Sequence, residues 1–323
     1  MAISQSTSLS GAPPARMSLS AVVSGRRAQP MRIMLYGVEG VGKSSFAAGA
    51  PAPIFLGAED GTAELDVTRL PKAEDWQDVL DGIHVLQTEN HPYKTLVVDT
   101  LDWAEPMLWK FICKRDDKAS IEDYGYGKGY VAALDEWRFF LQRLEGLRGR
   151  GMHVVLLAHS WIKPFANPEG DNFDRYELKL NNKAAGLLKE WADAVLFANH
   201  ETFAKRPDKK PQAAAKGFAT GARFLYTERR AAYDAKNRYG LPPKLPLSWA
   251  HFAEAAAARH ASHIDPAVLR VTIAELIAQL PAEKRERANA ALQAAGEDLA
   301  ALASVNNRVN ATLALAEGEK GQA

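Results

Sequence analysis

An α/β fold, with a mostly parallel central sheet, helices on both faces and a helical C-terminal tail, is what this sequence predicts. Three observations carry that expectation. Strand-length apolar runs alternate with amphipathic helical stretches between residues 32 and 159. Each run is apolar throughout instead of alternating, as strands covered on both faces must be. The first run passes directly into a glycine-rich turn and then a short helix, the order of a phosphate-binding loop.

The elements follow in order. Arg32 to Tyr36 reads as a buried strand ending at Gly37, and Lys43 to Ala48 as a short helix stopped by Gly49 and Pro51. Ile54 to Leu56 begins a second strand that runs into Gly57-Ala-Glu-Asp-Gly61. Trp76, Val79, Leu80 and Ile83 recur at helical spacing, so residues 74–86 form an amphipathic helix. Leu96 to Asp99 is a third strand, and about 101–113 the next helix. After a glycine- and tyrosine-rich stretch at 123–130, Tyr130, Leu134, Trp137, Leu141, Leu144 and Leu147 mark a long helix. Val154 to Ala158 is a fourth buried strand with His159 at its tip. Shorter strand-like pieces follow at 176–180, 194–198 and 223–227, with a helix at about 183–191 and a basic, Pro- and Gly-containing excursion at 204–222. Beyond Trp249 the chain is alanine-rich and helical to about residue 316. The expected division is a flexible tail over 1–29, a core over 30–250 and a helical region over 251–323.

Composition narrows the function classes. With 47% hydrophobic and 24% charged residues in 323, the chain can bury a substantial core. No apolar run approaches the roughly 20 residues of a membrane span, so no transmembrane helix is expected. A net charge of +1 confines any nucleic-acid surface to local patches. The single cysteine, Cys113, excludes an internal disulfide and a cysteine zinc cluster and fits a reducing cytoplasm, and its apolar neighbours mark it as core. Residues 1–29 hold seven serines, three arginines and no acid; a disordered tail is the reading adopted, with a transit peptide as the alternative. Within it Ser18 to Val23 is an apolar patch suited to docking on a neighbouring subunit.

The chemistry begins at Gly37-Val-Glu-Gly-Val-Gly-Lys-Ser44, which matches every fixed position of a Walker A loop. Gly37, Gly40 and Gly42, with Val41, let successive backbone N–H groups turn toward phosphate oxygens. Lys43 reaches the outer phosphates, the Ser44 hydroxyl holds a magnesium ion, and Ser45 follows on the helix. The expected cofactors are ATP and Mg2+. A second magnesium-directed acid belongs at the end of a neighbouring strand, and Asp99 is so placed, 56 residues after Lys43. Asp102 reads as a cap for the following helix. Hydrolysis also needs a group to orient water. Glu59 ends the second strand and is the first candidate, with Asp60 its competitor. His159 is placed to sense the terminal phosphate, a structural histidine being the other reading.

The order of these parts resembles the RecA-like ATPase core, and most closely a phage-encoded AAA-type family that includes core-only single-strand annealing proteins. The phrases that carry the resemblance are Tyr36-Gly-Val-Glu-Gly-Val-Gly-Lys-Ser44, Phe55-Leu-Gly-Ala-Glu-Asp-Gly61, Val97-Val-Asp-Thr-Leu-Asp-Trp103 and Tyr126-Gly-Lys-Gly129. Further on come Leu156-Leu-Ala-His159, Trp191-Ala-Asp-Ala-Val-Leu-Phe197 and Ala235-Lys-Asn-Arg-Tyr-Gly-Leu-Pro242. The resemblance covers about 30–250 and implies a water-activating role for Glu59. The sensor position is usually glutamine in such recombinases and is His159 here. Lys236 and Arg238 match the arginine-finger region of related helicases and recombinases, which implies a homo-oligomeric ring or filament; a plain basic turn is the alternative. The resemblance also implies contact with single-stranded DNA through positions 114–130 and 160–175, where cations and aromatics mix, with 205–216 a third candidate. The expected protein is thus a cytoplasmic phage ATPase of a bacterial host, acting on single strands in recombination or annealing. An accessory factor without recombinase activity is the main rival; a small-molecule kinase, which needs an arginine-rich lid, is the weaker one.

Overall fold

The computed structural model describes Val22 and residues 29–59, 61–205, 216–261 and 266–320. The expectations about residues 1–28 other than Val22, about Asp60 and about 206–215 lie outside the described residues. Among the described residues, ten strands form a mixed sheet: β1 (Arg32–Gly37), β2 (Pro53–Gly57), β3 (Thr68–Arg69), β4 (Thr95–Asp99), β5 (His153–Phe165), β6 (Phe173–Leu178), β7 (Ala194–Lys205), β8 (Lys216–Tyr226), β9 (Lys236–Asn237) and β10 (Lys244–Pro246). β7-β1-β5-β4-β2-β3 is the parallel core, and β8, β10 and β9 add antiparallel pairs beyond β7. The helices are α1 (Lys43–Ala48), α2 (Trp76–Thr88), α3 (Leu101–Arg115), α4 (Lys128–Gly149), α5 (Asn182–Trp191), α6 (Trp249–Ala261), α7 (Pro266–Gln279), α8 (Ala282–Ala295) and α9 (Leu299–Lys320).

Alternation along the strands sorts the core into two layers. Met34 and Tyr36 of β1, with Leu96 and Val98 of β4, pack against α2 to α5. Ile33 and Leu35 of β1, with Val97 of β4, pack against Phe46 of α1 and Trp249, Phe252 and Ala256 of α6. Both faces are covered, which is why the central residues of these strands, Ile33 to Tyr36 and Leu96 to Val98, form unbroken apolar runs. Helix α6 therefore belongs to the layer over the sheet, although its residues begin the expected C-terminal region. Helices α7 to α9 bury a separate cluster around Ile273, Ile277, Leu302 and Val305. Cys113 is buried, as its neighbours suggested.

Three features depart from the expected order. β5 does not end at His159 but continues to Phe165, leaving the parallel sheet to pair antiparallel with β6. Its burial changes at His159 from continuous to mixed, so the extension lacks the apolar run by which a buried strand is recognised. The turn that closes this hairpin is held by Asn167 Oδ1 accepting from the Glu169 N–H and Asn172 Oδ1 accepting from the Asn167 N–H. The 123–130 stretch is a 3-10 turn over Ile121–Tyr124 followed by Gly125, Tyr126 and Gly127, all with positive φ, before α4 begins. β3, β9 and β10 span two or three residues each, too short to leave a period in the sequence.

Candidate nucleotide site

Strand register assembles the site. Gly37 at the end of β1 lies directly opposite His159 of β5, and Gly57 at the end of β2 lies opposite Asp99 of β4. Because β5 runs between β1 and β4, the phosphate loop, His159, Asp99 and the turn carrying Glu59 share the carboxyl edge of the sheet. Ligands of open α/β sheets bind at that edge. The loop itself depends on glycine: Gly42 has φ 103°, and a Cβ on Gly37 would overlap the carbonyl of Ala198 on β7.

Lys43 is 6% exposed, and its Nζ donates to the carbonyls of Val38 at 3.2 Å and Gly37 at 3.4 Å. Burial lowers its pKa, opposed by the charges of Asp102, Asp99, Glu59 and Glu39. The Ser44 hydroxyl donates to Asp99 Oδ2 at 2.6 Å. Asp99 is 2% exposed; burial pushes its carboxyl up, while the Ser44 hydrogen bond and the Lys43 charge pull it down. Burial likewise raises Glu59, with His159 opposing and Asp99 and Asp102 reinforcing.

Asp102 is not a helix cap. Its Oδ1 accepts the backbone N–H of His159 at 2.9 Å, and its Oδ2 lies 2.8 Å from His159 Nδ1. Thr100, not Asp102, occupies the N-cap position of α3. Burial pushes the Asp102 carboxyl up, but the hydrogen bonds from His159 outweigh it and hold the group below its ordinary value. One turn on, both oxygens of Glu105 accept the N–H of Asn181, at 3.0 and 3.2 Å. α3 thus grips both ends of the β5–β6 hairpin.

A cleft of about 570 Å³ is lined by Gly40, Gly42, Lys43, Ser44, Ser45, Glu59, Asp99 and His159. Gly37 and Val41 stand behind it as loop backbone. Sequence reasoning missed Glu39, Glu64, Trp103 and Lys179 on its rim. Lys179 lies 4.0 Å from Glu39 and follows the hairpin that the sequence did not reveal. Only the chemical kind of Lys179 and Glu39 could have flagged them, and that is no signal without the fold.

Lys236 and Arg238 are not in this cleft. β9 pairs Lys236 with Val195 and Asn237 with Ala194, at the amino end of β7 and so the opposite edge of the sheet. Lys236 Nζ donates to the carbonyls of Lys189 and Glu190 at 3.1 and 2.7 Å, closing the C-terminus of α5. Arg238 Nη1 donates to Asp193 Oδ1 at 3.1 Å, a carboxylate that Arg32 also holds at 2.7 and 2.9 Å. Of the expected DNA segments, 114–130 is helix and tight turn, and 160–175 is the β5–β6 hairpin. Lys205 and Lys216 are paired across β7 and β8.

Among the described residues no group of three or more metal-ligating side chains occurs, and no helix is long and apolar enough to cross a membrane. No curated protein matches the chain. Residues 29–239, most of the 323, match the family described as an AAA domain. With its phosphate loop at the carboxyl edge of a mostly parallel sheet, this chain is a P-loop protein belonging to the AAA domain family.

Proposed function

We propose that this protein binds MgATP in the 570 Å³ cleft and hydrolyses it slowly through Glu59. In this reading it works on single-stranded DNA in recombination or annealing, as a phage-encoded ring or filament in the cytoplasm of a bacterial host. The observation that carries the nucleotide reading is the Ser44 hydroxyl 2.6 Å from the buried Asp99 carboxylate, with Lys43 beside them. An all-oxygen donor pair next to a buried ammonium fits a magnesium ion and the phosphates it accompanies. Bound there, magnesium would neutralise charge on the outer phosphate oxygens.

The chain's own residues supply the rest. Lys43 exchanges loop carbonyls for phosphate oxygens, which restores a full partner to a buried cation. Glu59 takes a proton from the attacking water, and its raised pKa makes it a stronger base than an ordinary glutamate. His159, anchored to Asp102 through Nδ1, has its other ring nitrogen for the terminal phosphate.

Arg238, on the far edge of its own sheet, serves a neighbouring subunit's cleft; Lys236 is engaged with α5 and is the weaker candidate. Arg238 would leave Asp193 without orphaning it, because Arg32 remains. For DNA, a groove of about 910 Å³ along α3 adjoins the cleft through Trp103 and Lys179. Its lining sets Lys110, Lys114 and Arg115 beside Trp103 and Phe111, the mix of cations and aromatics that a single strand uses, with the acids Glu74, Asp75 and Asp102 on the same wall. The hairpin adds a half-exposed Trp161 with Lys163 3.8 Å above its ring.

The test is fluorescence anisotropy of labelled oligonucleotides across a salt series, with and without a non-hydrolysable ATP analogue. Binding that weakens log-linearly with salt and responds to the analogue is expected; no binding to single strands at low salt overturns the DNA reading.

A further inference from the structure

The phosphate cleft has a neighbour on the side away from Glu59 and Asp99. A second cleft, of about 420 Å³, is lined by Gly42, Ser45, Phe46, Arg223, Leu247 and Trp249, and by Ser248 and Ala250 at the start of α6. Gly42 and Ser45 line both clefts, so the two meet at the first turn of α1. Asp99, Glu59 and His159 mark the terminal-phosphate end of the first cleft. A triphosphate laid along the loop therefore directs its nucleoside into the second. Arg223 stands at the junction: its Nη1 donates to the Val41 carbonyl at 3.3 Å and lies 2.7 Å from where a Cβ on Gly42 would be.

We propose that this second cleft is the nucleoside subsite, that Arg223 binds the phosphate nearest the sugar, and that the site accepts all four common bases. The inference rests on the triphosphate reading of the first cleft and adds to it the class of nucleotide used. Base indifference follows from what the walls offer. Phe46 and Trp249 form a packed aromatic floor, with ring centroids 5.3 Å apart, and Leu247 adds an apolar side. Two backbone N–H groups beside them are already engaged, that of Leu247 donating to the Arg223 carbonyl and that of Ser248 to the Pro246 carbonyl, and the first-turn N–H groups of α6 carry no base-specific pattern of donors and acceptors. The remaining polar side chains, Ser45, Ser248 and Arg223, are partly or largely exposed to solvent. Strong discrimination between bases needs buried polar groups that the wrong base would leave unpaired. The lining of this cleft holds no buried polar side chain.

Calorimetric titrations of the full chain with ATP, GTP, CTP, UTP and inorganic tripolyphosphate, each with magnesium, test this. The four nucleotides should bind within about tenfold of one another, and a wider spread overturns base indifference. Ala250→Trp, an exposed helix position that fills the cleft, should weaken all four at least tenfold and leave tripolyphosphate unchanged. Arg223→Gln should weaken nucleotides and tripolyphosphate together. Unchanged ATP binding in Ala250→Trp, with a circular dichroism spectrum like the parent's, overturns the subsite. Failure of the parent to bind any of the five ligands would instead remove the triphosphate reading on which the subsite rests.

Discussion

Glu105 is 5% exposed, and burial lifts its carboxyl to about 7, opposed by the Asn181 N–H and the charge of Lys163 and reinforced by Asp102. The folded state therefore holds this proton more tightly than the unfolded chain does. Its stabilising effect is complete below the ordinary glutamate value and is lost as pH rises through about 7. Across that window the group should cost roughly 3 kcal/mol of stability. Glu105→Gln should flatten the difference between urea unfolding at pH 5 and pH 8; an unchanged slope would assign that dependence elsewhere. Asp102→Ala removes two hydrogen bonds from His159 and should cost about 2 kcal/mol of stability. It should also lower the ATP turnover rate about tenfold while ATP affinity changes less than threefold, measured by steady-state hydrolysis beside calorimetry. The loop residues, Glu59 and Asp99 were legible in the sequence because each sits at a fixed distance from an apolar strand end. Asp102 was misread because its spacing fits a cap equally well, and its real partner lies 57 residues away.

At the scale of the element, β1 illustrates why a phosphate loop tolerates so little. Gly37 faces the Ala198 carbonyl of β7, so Gly37→Ala must push two central parallel strands apart. A loss of about 1–3 kcal/mol is expected from that overlap in chemical denaturation. Gly40→Ala, with nothing within 4 Å of its Cβ position, should pay only for its positive φ and cost less. The central strands could be read from sequence because burial on both faces writes an unbroken apolar run. The β5–β6 hairpin could not, because its residues show neither an unbroken apolar run nor a regular alternation and its turn depends on asparagine contacts. Short β9 is held in place by pairing with β7, a long-range contact that leaves no local pattern.

Over the whole molecule, the phosphate loop and Arg238 lie at opposite edges of one sheet, so no single subunit can bring them together. Mixing Arg238→Ala subunits with Glu59→Gln subunits should restore part of the hydrolysis that each variant lacks alone. Activity no higher than the sum of the separate variants would argue against a shared site. A mostly parallel sheet with helices on both faces was legible because its period is local; the order of strands within it was not, because it rests on pairing between distant segments. The placement of α6 over the sheet, through Trp249 and Phe252 on Phe46, was not, since an alanine-rich helix carries little sign of which surface it covers. All of this chemistry depends on the cleft holding a triphosphate. Calorimetric titration of MgATP into the parent protein and into Lys43→Ala, with matched circular dichroism spectra, tests that most directly. Saturable binding near one site per chain in the parent, and at least a hundredfold loss in Lys43→Ala, is the expected result; equal affinity in the two proteins would contradict it.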